Sequence, residues 1–397
     1  MFVAKKKDGS YFSLLDWKRR EELECMTKEE TFYCPACNSA LLLKQGQVRR
    51  IHFAHQFNSC TASSDPESPY HLEGKVKLYE SLLPYNQPIL EHYIPNSNQR
   101  ADVYVETDYG RYAFEFQCSN LSAADFNRRT KLYEKEGILP IWIIGHQKLG
   151  PHDRNVSPLK LSPFQWRFLQ RPSPQSPPFI LSFCPQRSLF SYHQPTFSIN
   201  SSTTYLNSQP SEHWLEKPTL IKPHAPLWKE HYLHYKKKWR YQYSFYKPHQ
   251  KLRSYCYGKM TIPLSLFPSE IGLPVSSFYH IHTSLIEWQA WLYFDSIYHT
   301  ATFSLIHLPS VLKNFRLRLK TSDITLRNLP LVKVGSYEDA VVEYLNALVG
   351  LGMLKRETPT IYRVLQKSLS LSSLEQAHIQ DRLVLETLLR TKQSTGY

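Results

Sequence analysis

Apolar and polar positions change period along the chain, and each change marks an element. YAFEFQCS, Tyr112 to Ser119, alternates every second residue. In a strand this puts Ala113, Glu115 and Gln117 on one face and Phe114, Phe116 and Cys118 on the other. RADVYVE behaves alike, with Ala101, Val103 and Val105 facing one way and Asp102 and Tyr104 the other. TDYGR joins the two segments, and its Gly110 suits a tight hairpin turn. Further strands are expected near 89–94 and over 139–145, where ILPIWIIG is an apolar run of strand length. Helices are predicted from Pro69 to about Leu83 and over 123–136. Ser68 is placed to cap the first, with Pro69 at its favoured first position. Ser122 and Asp125 have capping spacing for the second, and Gly137 ends it. Such mixing of elements indicates an α+β or mixed α/β domain.

The flanks read differently. FVAKKKDGSYFSLLD has strand, turn and strand character around Asp8-Gly9. Beyond 150, prolines break any long element, apart from a possible hairpin in FILSFCPQRSLFSYH. Residues 192–227, rich in Ser, Pro and Asn, read as linker. Around 337–365 a helix, a glycine turn and an apolar extension resemble the end of a winged helix. The expected organisation is therefore an N-terminal module over 1–62, a domain over 63–191, the linker, and a C-terminal region over 228–397.

Composition narrows the function. The 397 residues carry a formal net charge of +14, which favours a polyanionic partner, most simply nucleic acid. MFVAKKKDGS has no apolar run after its lysines, so no signal peptide is expected. No apolar stretch approaches the ~20 residues of a membrane span. Seven cysteines, three of them crowded between Cys34 and Cys60, argue for metal in a reducing cytoplasm over a disulfide framework.

The crowded segment runs Cys34-Pro-Ala-Cys37, fourteen residues, His52-Phe-Ala-His55, then Cys60. A C-x-x-C knuckle offers two thiolates to one tetrahedral zinc, and later ligands close the site. The intervening ALLLKQGQVRRIHFAH reads as a two-stranded ribbon turning at Gln45-Gly46. One of His52 and His55 is expected to ligate, and His55 is favoured because it lies nearer Cys60. Four protein ligands leave no open position, so this zinc is expected to be structural.

Asp102 and Glu115 belong to strands that the hairpin pairs. Two carboxylates from paired strands can share a hard divalent cation such as Mg2+ or Mn2+. Such a cation assists phosphodiester cleavage by generating hydroxide and neutralising charge.

ESPYHLEGK, RADVYVE, YAFEFQCS and NRRTKLYEKEGILPIWIIG, preceded by CPAC, HFAH and Cys60, resemble the competence protein CoiA family over roughly residues 1–190. The resemblance implies a zinc-finger-like N-terminal module, a PD-(D/E)XK nuclease-like domain with a mixed sheet flanked by helices, and a further mixed or helical C-terminal region. It implies that Asp102 is the metal-binding aspartate and Glu115 the carboxylate of the ExK element. Gln117 stands in the lysine place, and a neutral amide cannot supply lysine's charge to a developing phosphorane. Glu67, His71, Lys75 and Arg129 are candidates to complete the site. The family's setting implies DNA processing in natural transformation, on single-stranded or branched DNA, with RecA and other recombination or competence proteins as partners. A non-catalytic adaptor on the same fold is the alternative.

Between Trp228 and Lys259 lie nine Lys or Arg, ten aromatic residues and one acid, Glu230. Cations neutralise phosphates and flat rings stack unpaired bases. Lys236, Lys237, Lys238 and Arg240 are the expected phosphate contacts, with Tyr235 and Trp239 for stacking. The alternation in RYQYSFY also fits a β-rich core with a basic outer face.

Overall fold

Alternation near the N-terminus builds a small antiparallel sheet. Its strands are β1 (Val3–Lys5), β2 (Tyr11–Ser13), β3 (Phe32–Tyr33), β4 (Ala40–Lys44) and β5 (His52–His55), in the order β2-β1-β3-β4-β5. Phe2, Phe12, Phe32 and Phe53 are its buried aromatic core. The structure, a computed structural model, describes residues 1–17, 23, 29–45, 50–56, 60, 67–84, 87–150, 156–198, 200–212 and 225–394. The ribbon expected here is the β4–β5 pair, with Leu41 opposite His55 and Lys44 opposite His52. Gly46 of its expected turn lies outside the described residues.

Helix α1 (Pro69–Leu82) opens the second part, and the Ser68 side chain accepts the His71 amide as its cap. Strands β6 (Ile89–Leu90), β7 (Tyr93–Ile94) and β8 (Gln99–Arg100) follow, then β9 (Val103–Thr107) and β10 (Gly110–Gln117). Gly110 has φ +146, open to glycine, and turns β9 back onto β10. Helix α2 (Ala123–Lys135) then leads to β11 (Ile138–Gly145), which lies parallel to β10. Ser122 caps α2, and Gly137 follows its end at φ +67.

Strand β12 (Val156–Lys160), the short helix α3 (Pro163–Trp166), β13 (Leu169–Gln170), β14 (Phe179–Cys184), β15 (Leu189–Ser198) and β16 (Thr203–Ser211) complete this part. The large sheet runs β12-β16-β15-β14-β11-β10-β9-β6, with β13 on β14. The neighbours β10, β11 and β14 are parallel and the other pairs antiparallel, so the sheet is mixed. The predicted hairpin is β14–β15. The linker expected from 192 is corrected as far as Ser211, because those residues are β15 and β16. Residues 213–224 lie outside the description.

The aromatic, basic stretch is helical: α4 (Ala225–Tyr241) and α5 (Gln250–Met260). Helices α6 (Leu285–Ser296), α7 (Leu308–Lys320), α8 (Tyr337–Gly350) and α9 (Leu374–Ser394) follow, with strands β17 (Leu305–His307), β18 (Leu354–Thr358) and β19 (Ile361–Val364). After α8 the glycine turn leads into the apolar extension, which forms the β18–β19 hairpin, and the small sheet has the order β17-β19-β18. One hydrophobic core joins this region to the large sheet, with Phe197 of β15 against Trp228 and Tyr232 of α4 and Tyr205 of β16 against His231. The chain is thus an α+β protein whose large mixed sheet is covered by helices.

Candidate functional site

The first cluster brings together Cys34 and Cys37, which follow β3, His55 at the end of β5, and Cys60. The donor atoms of Cys34, Cys37, His55 and Cys60 all lie within 4.8 Å of one another. Cys34 and Cys60 sulfurs are 3.9 Å apart, and Cys37 sulfur is 3.3 Å from His55 Nε2. Tetrahedral zinc with ~2.3 Å bonds to sulfur separates two thiolates by about 3.8 Å, so the donor set fits that ion. His52 is directed elsewhere: its Nδ1 bonds the Arg50 carbonyl at 2.8 Å. Burial pushes the Cys34 thiol up to about 12. Burial also opposes ionisation of Cys37, but hydrogen bonds with Ser39 outweigh it and hold that thiol below its usual value. Burial keeps His55 neutral to lower pH, the form a ligand needs.

The second cluster sits at the end of the large sheet. Continuing the β9–β10 register one residue past Val103 opposite Phe114 sets Asp102 across from Glu115. Asp102 Oδ2 accepts the Phe116 amide at 2.9 Å and lies 3.2 Å from His71 Nε2 on α1. Glu67, His71 and Asp102 each offer a donor atom within 4.8 Å of the others. Glu115 faces α2 instead, where Arg129 pairs with its Oε2 at 2.6 Å and the Tyr133 hydroxyl donates to Oε1. Trp142 of β11 supports the Arg129 guanidinium, 5.3 Å from its ring centroid. Phe126, Arg129 and Tyr133, at i, i+3 and i+7 on α2, therefore share one helix face.

The two central carboxyls are driven apart electrostatically. Burial raises Asp102, but His71 and Lys75 outweigh burial and hold it below the usual carboxylate range. Burial raises Glu115 as well, and there the Arg129 charge does not offset it; the negative charge of Asp102 adds to the rise. The two carboxyls are therefore shifted in opposite directions by their surroundings.

Lys75 lies deeper than its place one turn after His71 suggested. It is fully buried between Glu67, at 2.6 Å, and Glu91, and these carboxylates keep it charged against the cost of burial. Gln117, in the lysine place, donates Nε2 to the carbonyl and hydroxyl of Ser119, each at 3.0 Å.

Three participants escaped sequence reasoning. Buried Glu91 accepts the amides of Phe2 at 2.6 Å and Val3 at 3.0 Å, tying β1 to the second cluster. Glu67 takes the Met1 amine at 2.7 Å and lies 3.6 Å from Arg100. Burial raises Glu67, but Lys75, that amine and Arg100 together hold it well below its usual value. A charge beside the motif, Arg100 next to Ala101-Asp102, was the available signal; Glu91 offered none.

The residues expected to contact DNA in the C-terminal region separate into two groups. Lys237 and Lys238 are exposed on α4. Tyr235, Lys236, Trp239 and Arg240 are buried and leave no surface for phosphate or base. Arg240 pairs with Asp381 of α9 through two 2.8 Å bonds, and Lys236 lies 3.1 Å from the same carboxylate.

Comparison with known proteins gives a consistent result along the chain. Residues 15–63 match the description "Competence protein CoiA, N-terminal domain". Residues 67–225 match "Competence protein CoiA, nuclease-like domain", and 227–379 match "Competence protein CoiA, C-terminal domain". No solved structure matches. A curated protein of Bacillus subtilis (strain 168), "Competence protein CoiA", is 30% identical over 384 residues, covering 94% of this chain and 98% of that protein. The carboxylate cluster at the end of the large sheet thus falls inside a nuclease-like match, the Cys3His cluster inside the N-terminal match, and the chain belongs to the competence protein CoiA family.

Proposed function

We propose that this protein is a metal-dependent DNA nuclease acting on single-stranded or branched DNA during natural transformation, in the cytoplasm and alongside recombination proteins such as RecA. The observation that carries this reading is the pair formed by Asp102, which immediately precedes β9, and Glu115 of the paired strand β10, two neighbouring carboxyls shifted in opposite directions. Asp102, with Glu67 and His71 beside it, is the donor set for Mg2+ or Mn2+, and Glu115 borders it. Such a cation, when bound, neutralises phosphate charge and lowers the pKa of water. Glu115 accepts the proton of the attacking water at its carboxylate. The water oxygen bonds to phosphorus, the scissile P–O bond breaks with its electron pair on the departing oxygen, and that oxygen takes a proton from solvent. Arg129 supplies the cation that Gln117 lacks, while Gln117 orients water or phosphate through its amide. The Cys3His cluster is read as structural zinc.

Two observations favour a second reading, a DNA-binding adaptor without catalysis: the Gln117 amide is engaged by Ser119, and Arg129 is paired with Glu115. The test offers purified protein labelled single-stranded and branched DNA with Mg2+ or Mn2+. Cleavage is expected, and Asp102→Ala and Glu115→Ala are each expected to lower its rate by at least ~100-fold, the scale of a lost acid–base or electrostatic contribution. Binding without cleavage across the whole panel establishes the adaptor instead.

A further inference from the structure

We infer that the turn joining α4 to α5 is a stacking surface for single-stranded DNA, separate from the carboxylate cluster. Residues 231–269 contain no Asp or Glu. Helix α4 buries the inner half of this stretch and leaves the outer half in solvent. Four rings stand out along α4, the turn and α5: Tyr241 is 41% exposed, Phe245 62%, Tyr246 51% and Tyr257 70%. Tyr246 also leans on Tyr243, with 5.2 Å between ring centroids, but much of each ring stands in water, and flat faces in water are what an unpaired base stacks on. Their chemistry is specific because cations interleave them. Lys237 lies 5.9 Å from the Tyr241 ring centroid and Lys238 lies 5.5 Å from that of Tyr243. The turn is fixed: Arg253 donates to the Ser244 carbonyl at 3.0 Å and joins α5 to it. Tyr257, one helical turn after Arg253, emerges on the same side of α5.

Carboxylates that approach from other elements are already engaged. Glu287 bonds His249 at 2.6 Å, and Asp323 pairs with Lys251 at 2.5 Å and Arg318 at 3.1 Å. The surface therefore presents rings and unbalanced positive charge. A duplex hides its base faces and can use only the charge; a single strand can use both. This binding site goes beyond the nuclease reading and does not depend on it.

The test measures anisotropy of a labelled oligonucleotide of about 20 nucleotides, single-stranded or duplex, with full-length protein and no added Mg2+ or Mn2+. Single strand is expected to bind more tightly. Phe245→Ser with Tyr246→Ser is expected to weaken it about 10-fold or more while duplex binding changes little. Lys237→Gln with Lys238→Gln is expected to lower the salt slope by about 1.4, from ~0.7 per phosphate contact on single strands. Because these side chains are exposed, circular dichroism is expected to be unchanged in both variants. If the ring variant binds single strand as the unaltered protein does, the stacking surface is refuted. Equal losses for duplex and single strand refute it too, leaving a surface that reads charge alone. Asp102→Ala separates the two readings, since it is expected to abolish cleavage and keep this binding intact.

Discussion

Arg129 brings to Glu115 the positive charge that Gln117 cannot. The pair is 2.6 Å long and its carboxylate is buried. Arg129→Gln leaves that carboxylate facing only the Tyr133 hydroxyl, and breaking one side of a buried pair costs about 3–5 kcal/mol. Partial exposure of Arg129 moves the expected loss toward the lower end. The pH dependence gives the sign. Burial and Asp102 raise Glu115 in the folded state, so Glu115 favours folding at low pH and less so as pH rises through its folded pKa. Without Arg129 that penalty grows where Glu115 is ionised. Asp102 and Glu67, held low by their cationic neighbours, lose stabilisation as pH falls, but they do so in both proteins. Urea unfolding is therefore expected to show a larger gap between variant and unaltered protein at pH ~7 than near the usual carboxyl range, pH ~4. An equal gap at both overturns the assignment. Asp102 and Glu115 were legible in the sequence because strand alternation and a hairpin are local rules. Glu91 was not, since its partners Phe2 and Val3 lie 89 and 88 residues away and no local pattern encodes them.

At the scale of elements, Gly74 shows how closely α1 must approach β10. A Cβ there would stand 1.9 Å from the Phe116 ring, in the interior. Phe116 also donates its amide to Asp102, so the helix and the carboxylate share one contact surface. Gly74→Ala is expected to destabilise by about 1–3 kcal/mol through overpacking. Gly258, on α5, has nothing within 4 Å of such a Cβ, and Gly258→Ala is expected to stabilise by up to ~1 kcal/mol. Opposite shifts in thermal midpoint check the pair; a neutral Gly74→Ala would sink the packing account. Helix α1 was readable from its Ser68 cap and Pro69, and α2 from its Ser122 cap and the Gly137 stop. Helix α4 was harder, because charged residues occupy its core positions: Tyr232, Tyr235, Lys236, Trp239 and Arg240 follow helical spacing and are all buried. Scored by polarity, the period disappears. The second half of β15 and the whole of β16 were obscured by Pro195 and Pro210; Pro195 borders a register shift before Phe197, where a strand tolerates proline.

Across the whole molecule, side-chain contacts bind regions that the sequence presented as separate. Arg327 donates to the Ser201 carbonyl at 2.9 Å and Lys333 pairs with Glu134, joining the C-terminal region to the nuclease-like domain. The N-terminal sheet is joined by Glu91, whose Oε2 takes the amides of Phe2 and Val3 while Oε1 takes Lys75. Lys75 also holds Glu67, which belongs to the Asp102 cluster. The Cys3His cluster therefore supports more than its own sheet, through β1 and Glu91. Structural zinc in small modules contributes on the order of 10–16 kcal/mol. Metal analysis of protein purified without chelator is expected to find about one zinc per chain. Cys60→Ser is expected to lose that zinc, to become sensitive to protease within its first sixty residues, and to cleave DNA more slowly. Glu91→Gln separates the links: it keeps a neutral acceptor for the two amides and retains zinc, but removes the charge that pairs with Lys75. It is expected to slow cleavage without exposing the N-terminal sheet to protease. Absence of stoichiometric zinc removes the metal from this chain of contacts, and full cleavage by zinc-free Cys60→Ser removes the coupling.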